Sequence, residues 1–179
     1  MKEVSHGSDG SISLKNLQTC INSDLANNYG NLCQRVFTFI KNNCNGKVTK
    51  AKKNSKSDKK LISESKALMK NLRDDMDNQN LNNYIKSVIK ISFLTNKYIN
   101  DEEPWRLKNN DVYQMNNILY LALDQIAKIS ILLNPLIPKA TLKVLDALNI
   151  KKKSINNDFL NGENIFEKEI KIKELSILF

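Results

Sequence analysis

The apolar residues of this chain recur mainly at the three-to-four-residue spacing of an amphipathic helix. Ser13 is a suitable N-cap for a long first helix, which we expect to reach about Asn43 and to end at Asn45-Gly46. Its predicted buried stripe consists of Leu14, Ile21, Leu25, Leu32, Val36 and Phe39. The pattern therefore predicts a helix with one buried face and one face in solvent.

Four further helices follow in the same periodicity, over about 61–76, 81–99, 112–133 and 138–148. Pro104 prevents the third helix of the chain from continuing. The helix at 112–133 is apolar on most sides, so we expect other helices to surround it. Few Gly and Pro residues interrupt these runs. We predict an all-α fold, an antiparallel bundle of about five helices.

The chain divides into three parts on this reading. Residues 1–12 form a lead-in, residues 13–149 form the helical domain, and residues 150–179 form a tail that packs on or follows the bundle and holds at most a short strand. Between the first two helices, residues 47–60 carry seven lysines against one aspartate and no large apolar residue after Val48. That composition predicts a solvated linker.

The charge balance agrees with two kinds of protein. The chain has 28 basic and 19 acidic residues, a formal net charge of +9. A polyanionic partner would suit this excess, because Lys and Arg that neutralise phosphates release condensed counterions. However, the chain is also rich in Lys, Asn and Ile, as products of AT-rich genomes are whatever their function. Charge alone therefore only hints at nucleic-acid binding.

Several classes of site receive little support from the sequence. Cys20, Cys33 and Cys44 are odd in number, far apart and without a Cys-x-x-Cys pair, which favours reduced thiols over disulfides or a zinc site. His6 is the only histidine, so histidine-based catalysis has almost nothing to work with. No stretch has the pattern of a signal peptide or the length of a membrane span. We expect a cytoplasmic protein with no membrane partner and no metal.

Three stretches in order carry a recognisable pattern: NSDLANNYGNLCQR at 22–35, NKYINDEEPWRLK at 96–108, and LLNPLIP at 132–138. Together they resemble the C-terminal anticodon-binding domain of bacterial methionyl-tRNA synthetases, which are class I methionine–tRNA ligases. The lead-in at 2–10 resembles the segment that joins the catalytic domain to this domain. The resemblance implies a tRNA-binding helical module that recognises the CAU anticodon of methionine tRNA.

The resemblance also implies roles for individual residues. Asn31 and Arg35 fall where the family reads anticodon bases, and Trp105 falls where the family has its stacking platform, with Pro104 setting its position. Asn27 and Gly30 stand beside them as supporting residues.

The chemistry of these residue types suits that reading. Asn31 and Arg35 are four residues apart, so they lie about 40° from each other on one helix face, offset from the apolar stripe. Arg offers a fork of donors and Asn a donor and an acceptor, which match base edges. Unstacked bases of a single-stranded loop also stack on aromatic rings, worth ~1–3 kcal/mol each. We therefore predict that Trp105 stacks while the other two make hydrogen bonds.

The lysine-rich segment supplies two further interpretations. Lys50, Lys52 and Lys53 are candidate phosphate contacts. The pentapeptide Lys53-Asn-Ser-Lys-Ser57 imitates the ATP-binding Lys-Met-Ser-Lys-Ser loop of class I synthetases. That loop precedes the anticodon domain in the family and ends a nucleotide-binding sheet, so we interpret the similarity as coincidence.

Neither a nucleotide-binding fold nor a methionine pocket is recognisable in the sequence. We therefore expect no cofactor here, with ATP and Mg²⁺ belonging to a catalytic domain that an excised domain, a truncated gene product or one half of a split synthetase would lack. In the last case the catalytic half would be a separate partner chain. Two alternatives stay open: a helical protein-interaction or remnant module without an RNA role, and the anticodon domain of another class I synthetase. The runs Asp24-Leu-Ala-Asn27 and Gly30-Asn-Leu32 favour methionine.

Overall fold

The computed structural model describes residues 13–51, 53–151, 158–161 and 163–179. Within them the chain forms the antiparallel helical bundle that the sequence predicts, with one small two-stranded sheet added. The expected lead-in at 1–12 lies outside the described residues.

The predicted first helix is continuous but not uniform. Helix α1 (Leu14–Cys20) runs through a π-helical stretch (Ile21–Gly30) into helix α2 (Asn31–Asn43) without leaving right-handed helical backbone. The apolar stripe is buried at Leu32 and Val36. The prediction is wrong at its start, where Leu14 and Ile21 remain exposed because the described elements do not cover that end of the helix.

Five helices complete the bundle: α3 (Lys56–Met69), α4 (Leu72–Asp77), α5 (Leu81–Glu102), α6 (Val112–Leu133) and α7 (Pro138–Ala147). The prediction of a single helix over 61–76 is wrong. The structure has two helices there: α3 starts earlier, at Lys56, and a turn separates its end from α4. Helix α6 is buried on nearly every side, which confirms its predicted central place. It is the helix around which the others pack.

Long-range hydrogen bonds fix the directions of the helices. The Tyr84 hydroxyl, near the start of α5, donates to the Leu132 carbonyl at the end of α6 (2.7 Å), so these helices are antiparallel. Asn96 of α5 donates to the Asn28 side chain in the π-helical stretch (2.8 Å), and Arg35 of α2 donates to Asn100 (2.9 Å). Because both pairs advance together along the chain, α2 and α5 run parallel and end on the same side of the bundle.

The interpretation of residues 47–60 as a solvated linker is wrong. Strand β1 (Lys47–Thr49) pairs antiparallel with strand β2 (Glu169–Lys171), and the central residues Val48 and Ile170 are both buried. Alternation around Val48 covers only three residues, which is too short a run to reveal a strand in the sequence. The segment is therefore part of the packed domain.

A buried polar network then holds the same segment against α5 and α6. The fully buried carboxylate of Asp58 accepts hydrogen bonds from the Tyr98 hydroxyl (2.7 Å) and the Asn117 amide (2.7 Å). The Asn117 carbonyl oxygen in turn accepts from the Ala51 backbone (2.9 Å). Ser55 caps α3 and forms a reciprocal capping box with Asp58. The end of the pentapeptide at 53–57 thus begins a helix.

The described tail packs on the bundle. Its backbone donates from Ile172 to Gly46 (2.8 Å) and from Lys173 to Ala147 (2.8 Å), and Ile165 donates to the buried Asp124 carboxylate (2.7 Å). Burial raises the pKa of Asp124, and its ion pair with Lys128 (2.8 Å) acts in the opposite direction. These contacts hold the described tail against the turn after α2 and against α6 and α7.

Two kinds of feature are absent from the described residues. No helix there is long and apolar enough to cross a bilayer. Nor do those residues include a group of three or more His, Cys, Asp or Glu side chains placed to bind a metal ion.

Candidate nucleic-acid interface

The outward face of α2 carries the two residues predicted to read bases. Asn31 and Arg35 are exposed, while Leu32 and Val36, which follow them directly in the chain, are buried in the core. The expectation that both polar side chains lie on the solvent face of this helix is therefore confirmed. Their role in binding stays a prediction.

Trp105 lies on a sharp turn at the end of α5. Glu103 adopts a left-handed conformation (φ 43°) that stops the helix, and Pro104–Arg106 form a single 3₁₀ turn. Pro104 is buried and Trp105 is 40% exposed. The turn thus anchors its proline in the protein and leaves part of the indole surface open to a ligand.

Arg35, in the first half of α2, meets Trp105 just beyond the end of α5. The guanidinium carbon of Arg35 lies 5.8 Å from the centroid of the Trp105 ring, within the range of a cation–π contact. One guanidinium nitrogen also donates to the Asn100 side chain at 2.9 Å. Because a guanidinium has five N–H donors, this hydrogen bond orients the fork and leaves others for a ligand.

A cleft of about 410 Å³ opens beside this pair. Its apolar lining comes from the core side of α2, α5 and α6 and from the turn: Val36, Phe39, Ile99, Pro104, Trp105 and Leu119. Its polar lining comes from α2: Gln34, Arg35, Thr38, Asn42 and Asn43. Clefts of roughly 300–1,000 Å³ with mostly apolar walls and a few polar groups are typical of small-ligand sites. Such a surface fits the flat face and the polar edge of an unstacked base.

Asn31 lines a neighbouring cavity of about 600 Å³ rather than the cleft beside Trp105. Asn27 and Gly30 lie with it, and residues 177–179 form the opposite wall. Gln34 lines both cavities, so they adjoin along α2. Asn31 is therefore one helical turn from the Arg35–Trp105 pair and stands on the same exposed face.

Gly30 leaves room for the tail. Its backbone is ordinary right-handed helix (φ −63°), so its conformation does not require glycine. A Cβ atom there would lie only 2.9 Å from the Phe179 ring, which packs edge-on against Tyr29. The close approach at Gly30 comes from the C-terminal segment.

The three lysines proposed as phosphate contacts differ in their surroundings. The Lys50 side chain is half-buried, with its ammonium 6.0 Å from the Tyr120 ring centroid. Lys53 is exposed, and Lys52 lies outside the described residues. Of the two lysines that the structure describes, Lys53 is the more accessible to the phosphate of a bound RNA. The role of all three lysines stays a prediction.

Sequence reasoning missed Asn100, Gln34 and the wall formed by residues 177–179. Asn100 lies inside the second quoted stretch and on the exposed side of a helix, so its position was available, but its partner Arg35 is 65 residues away. No local pattern marks residues 177–179, because their place on α2 depends on the whole path of the tail.

Comparison with known families gives a match over residues 48–178, to the model described as the anticodon binding domain of methionyl tRNA ligase. This range includes Pro104 and Trp105 and stops short of Asn31 and Arg35.

Relatives extend the similarity to the first helix. A methionine–tRNA ligase of Brucella suis is 34% identical over 150 residues, 84% of this chain and 29% of the relative. That of Rickettsia typhi is 32% identical over 182 residues, covering 100% of this chain and 36% of the relative. The crystal structure of apo methionyl-tRNA synthetase from Mycobacterium tuberculosis superposes with a TM-score of 0.90 at 25% identity, covering 99% of this chain and 36% of that one. The chain thus spans about a third of the length of these proteins.

Proposed function

The chain belongs to the family of anticodon-binding domains of methionyl-tRNA ligases, and from this premise we propose that its cleft reads the CAU anticodon of methionine tRNA. The observation that carries the proposal is the Arg35–Trp105 pair, in which a partly exposed indole and an oriented guanidinium border one cleft. A base that leaves the loop stack would place its face on Trp105 and its edge toward Arg35.

Each side chain would contribute a different part of the recognition. Trp105 supplies stacking, which tolerates any base and contributes mainly affinity. Arg35 supplies paired donors for the acceptor atoms of a base edge, and Asn31 an amide on the same face one turn away. Hydrogen bonds of this kind carry the discrimination between bases, because a wrong base leaves donors unpaired. Selectivity should therefore depend on Arg35 and Asn31 more than on Trp105.

We assign this chain the tRNA-binding part of the ligase reaction and no ligation chemistry of its own. Methionine activation with ATP and Mg²⁺ would belong to the other two thirds of a full-length ligase, since the chain spans only 29–36% of its relatives. An ATP–pyrophosphate exchange assay on the chain alone should give no turnover. Measurable exchange would overturn this division of labour.

The first experiment uses the intrinsic fluorescence of the single tryptophan. The chain is titrated with methionine tRNA and with the same tRNA carrying another anticodon, at one fixed low salt concentration. Quenching by the CAU form at lower concentration than by the changed form is the expected result. Equal quenching would indicate a nonspecific basic binder, and no response to either would favour a protein-interaction module.

Two variants separate stacking from readout, with fluorescently labelled RNA as the reporter. Trp105→Ala should weaken binding of both tRNAs by ~1–3 kcal/mol, the value of one stacked base. Arg35→Lys keeps the charge but loses the planar fork, so it should reduce the preference for CAU while leaving the salt dependence unchanged. Unchanged affinity in Trp105→Ala would show that the platform is assigned to the wrong residue.

A further inference from the structure

Helix α5 presents a straight basic ridge to solvent, which we define as Lys86, Lys90, Phe93, Lys97 and Asn100. All five side chains are exposed. Their spacing of three and four residues keeps them within about 80° of arc on one side of the helix. From Asn100 to Lys86 the ridge is about 21 Å long at 1.5 Å per residue.

The ridge is continuous with the candidate reading site. Its last member, Asn100, accepts the hydrogen bond from Arg35, whose guanidinium lies over Trp105. Because α2 and α5 run parallel and finish on the same side of the bundle, the ridge leads from the cleft back along the length of the domain. A ligand that fills the cleft and continues along this surface meets Lys97 first and Lys86 last.

The three lysines of the ridge differ in their ion pairs with carboxylates. Lys97 forms an exposed ion pair with Asp101 (3.1 Å). Within the described part of the chain, neither Lys86 nor Lys90 forms an ion pair with a carboxylate. Phe93 stands between Lys90 and Lys97 with 53% of its surface exposed. Phe93 thus places an exposed aromatic ring among the basic side chains of the ridge.

We propose that this ridge binds the sugar–phosphate backbone of the anticodon stem, with Lys86 and Lys90 on phosphates and Phe93 against the ribose edge. The proposal rests on the proposed function, since it uses the cleft as the point where the loop is held. A duplex strand carries about one phosphate per 3.4 Å of axis, so a 21 Å ridge faces roughly six phosphates of one strand. Backbone contacts of this kind set orientation and affinity without reading sequence.

The test compares two charge-matched double variants of the chain. Lys86→Ala/Lys90→Ala removes two lysines four residues apart on the ridge. Lys66→Ala/Lys70→Ala removes two exposed lysines at the same spacing, in the last turn and at the C-cap of α3, beside a cavity that shares no lining residue with the cleft. Binding is measured at several salt concentrations with three RNAs: a CAU stem-loop, a stem-loop with another anticodon, and the CAU loop as an unpaired oligonucleotide.

The ridge variant should bind both stem-loops on the order of tenfold more weakly and flatten the slope of log K against log salt by about 1.8, or 0.9 per phosphate contact. Its binding to the unpaired loop should stay as in the wild type, and the α3 variant should resemble the wild type throughout. The proposal is overturned if the two double variants behave alike, or if the ridge variant loses the unpaired loop as strongly as the stem-loops.

These readouts distinguish failure of the ridge from failure of anticodon reading. If the wild type does not prefer the CAU stem-loop, the proposed function fails whatever the lysines do. If the wild type does prefer the CAU stem-loop, but the ridge variant leaves the salt slope of every RNA unchanged, only the proposal for the ridge fails. Phe93→Ala gives an independent check, because loss of an uncharged contact should weaken stem-loop binding about two- to fivefold without changing the salt slope. No change in affinity would remove Phe93 from the interface.

Discussion

Two polar clusters in this domain use similar side chains for opposite purposes. The first is the Asp58–Tyr98–Asn117 cluster, fully enclosed between α3, α5 and α6. The second is the Arg35–Asn100–Trp105 cluster, which lies at the surface beside the end of α5. Each combines a charged group, an asparagine and an aromatic ring. They differ in how many of their hydrogen-bonding groups are already paired within the protein.

In the buried cluster most hydrogen-bonding groups of Asp58 and Asn117 already have partners in the protein. Asp58 accepts from a hydroxyl, a side-chain amide and the Ser55 backbone, and Asn117 uses its carbonyl oxygen on Ala51. In the surface cluster one hydrogen bond, to Asn100, orients the exposed Arg35 side chain. A satisfied network rigidifies a fold, whereas an oriented but unsaturated group is ready to bind. Polar residue type alone does not separate the two roles.

The largest expected effect comes from removing the centre of the buried cluster. Asp58→Ala leaves the Tyr98 hydroxyl and the Asn117 amide buried without an acceptor and removes the N-terminal capping box of α3. We expect a loss of about 4 kcal/mol in the free energy of unfolding, measured by urea denaturation. Asp58→Asn, which keeps one acceptor oxygen, should lose about half as much.

Asp74→Ala on α4 is the matched control for this change, since it removes an exposed aspartate. It should change the unfolding free energy by no more than about 0.5 kcal/mol. A small effect in Asp58→Ala, comparable with that of the control, would mean that the network does not hold residues 47–60 in place.

A smaller effect concerns alkaline pH. Burial, and then the hydrogen bond to Asp58, raise the pKa of the Tyr98 phenol above its ordinary value near 10. The folded chain therefore keeps this proton where the unfolded chain loses it. Its contribution is fully present below about pH 10 and is lost at about 1.4 kcal/mol per pH unit as the pH rises further.

Urea titrations at pH 8 to 11 test this difference. Tyr98→Phe should be less stable than the wild type at pH 8 and should lose stability less steeply above pH 10, so the two curves converge. Tyr84→Phe should also reduce the slope, because burial raises the pKa of Tyr84 to about 12. Parallel curves for wild type and Tyr98→Phe would contradict the assignment of this proton.

Both clusters depend on hydrogen bonds across 40 to 66 residues, which no local pattern contains. Helical periodicity places Asn31 and Arg35 on one face, and proline accounts for the turn before Trp105, but only the family resemblance grouped these residues as one candidate site, and Asn100 was missed. No resemblance of that kind pointed to the buried cluster. Because its anchors lie in a lysine-rich run, composition pointed to a solvated linker where the fold has a strand and a capped helix. The tail beside Gly30 was unpredictable for the same reason.

The smallest effect tests whether the surface cluster is oriented for binding or only exposed. Asn100→Ala removes the acceptor of Arg35 and leaves the guanidinium and Trp105 themselves unchanged. Since both groups are exposed, the unfolding free energy should change by less than about 0.5 kcal/mol. Binding of the CAU stem-loop should weaken by about 1 kcal/mol, because a mobile arginine must be ordered when the RNA binds.

Selectivity for the CAU stem-loop should fall together with its affinity. The control Asn83→Ala, at the far end of α5 and also exposed, should leave both affinity and selectivity unchanged. If Asn100→Ala instead lost stability and kept its selectivity, the Arg35–Asn100 hydrogen bond would belong with the buried network as a structural contact, and the contrast between the two clusters would reduce to burial alone.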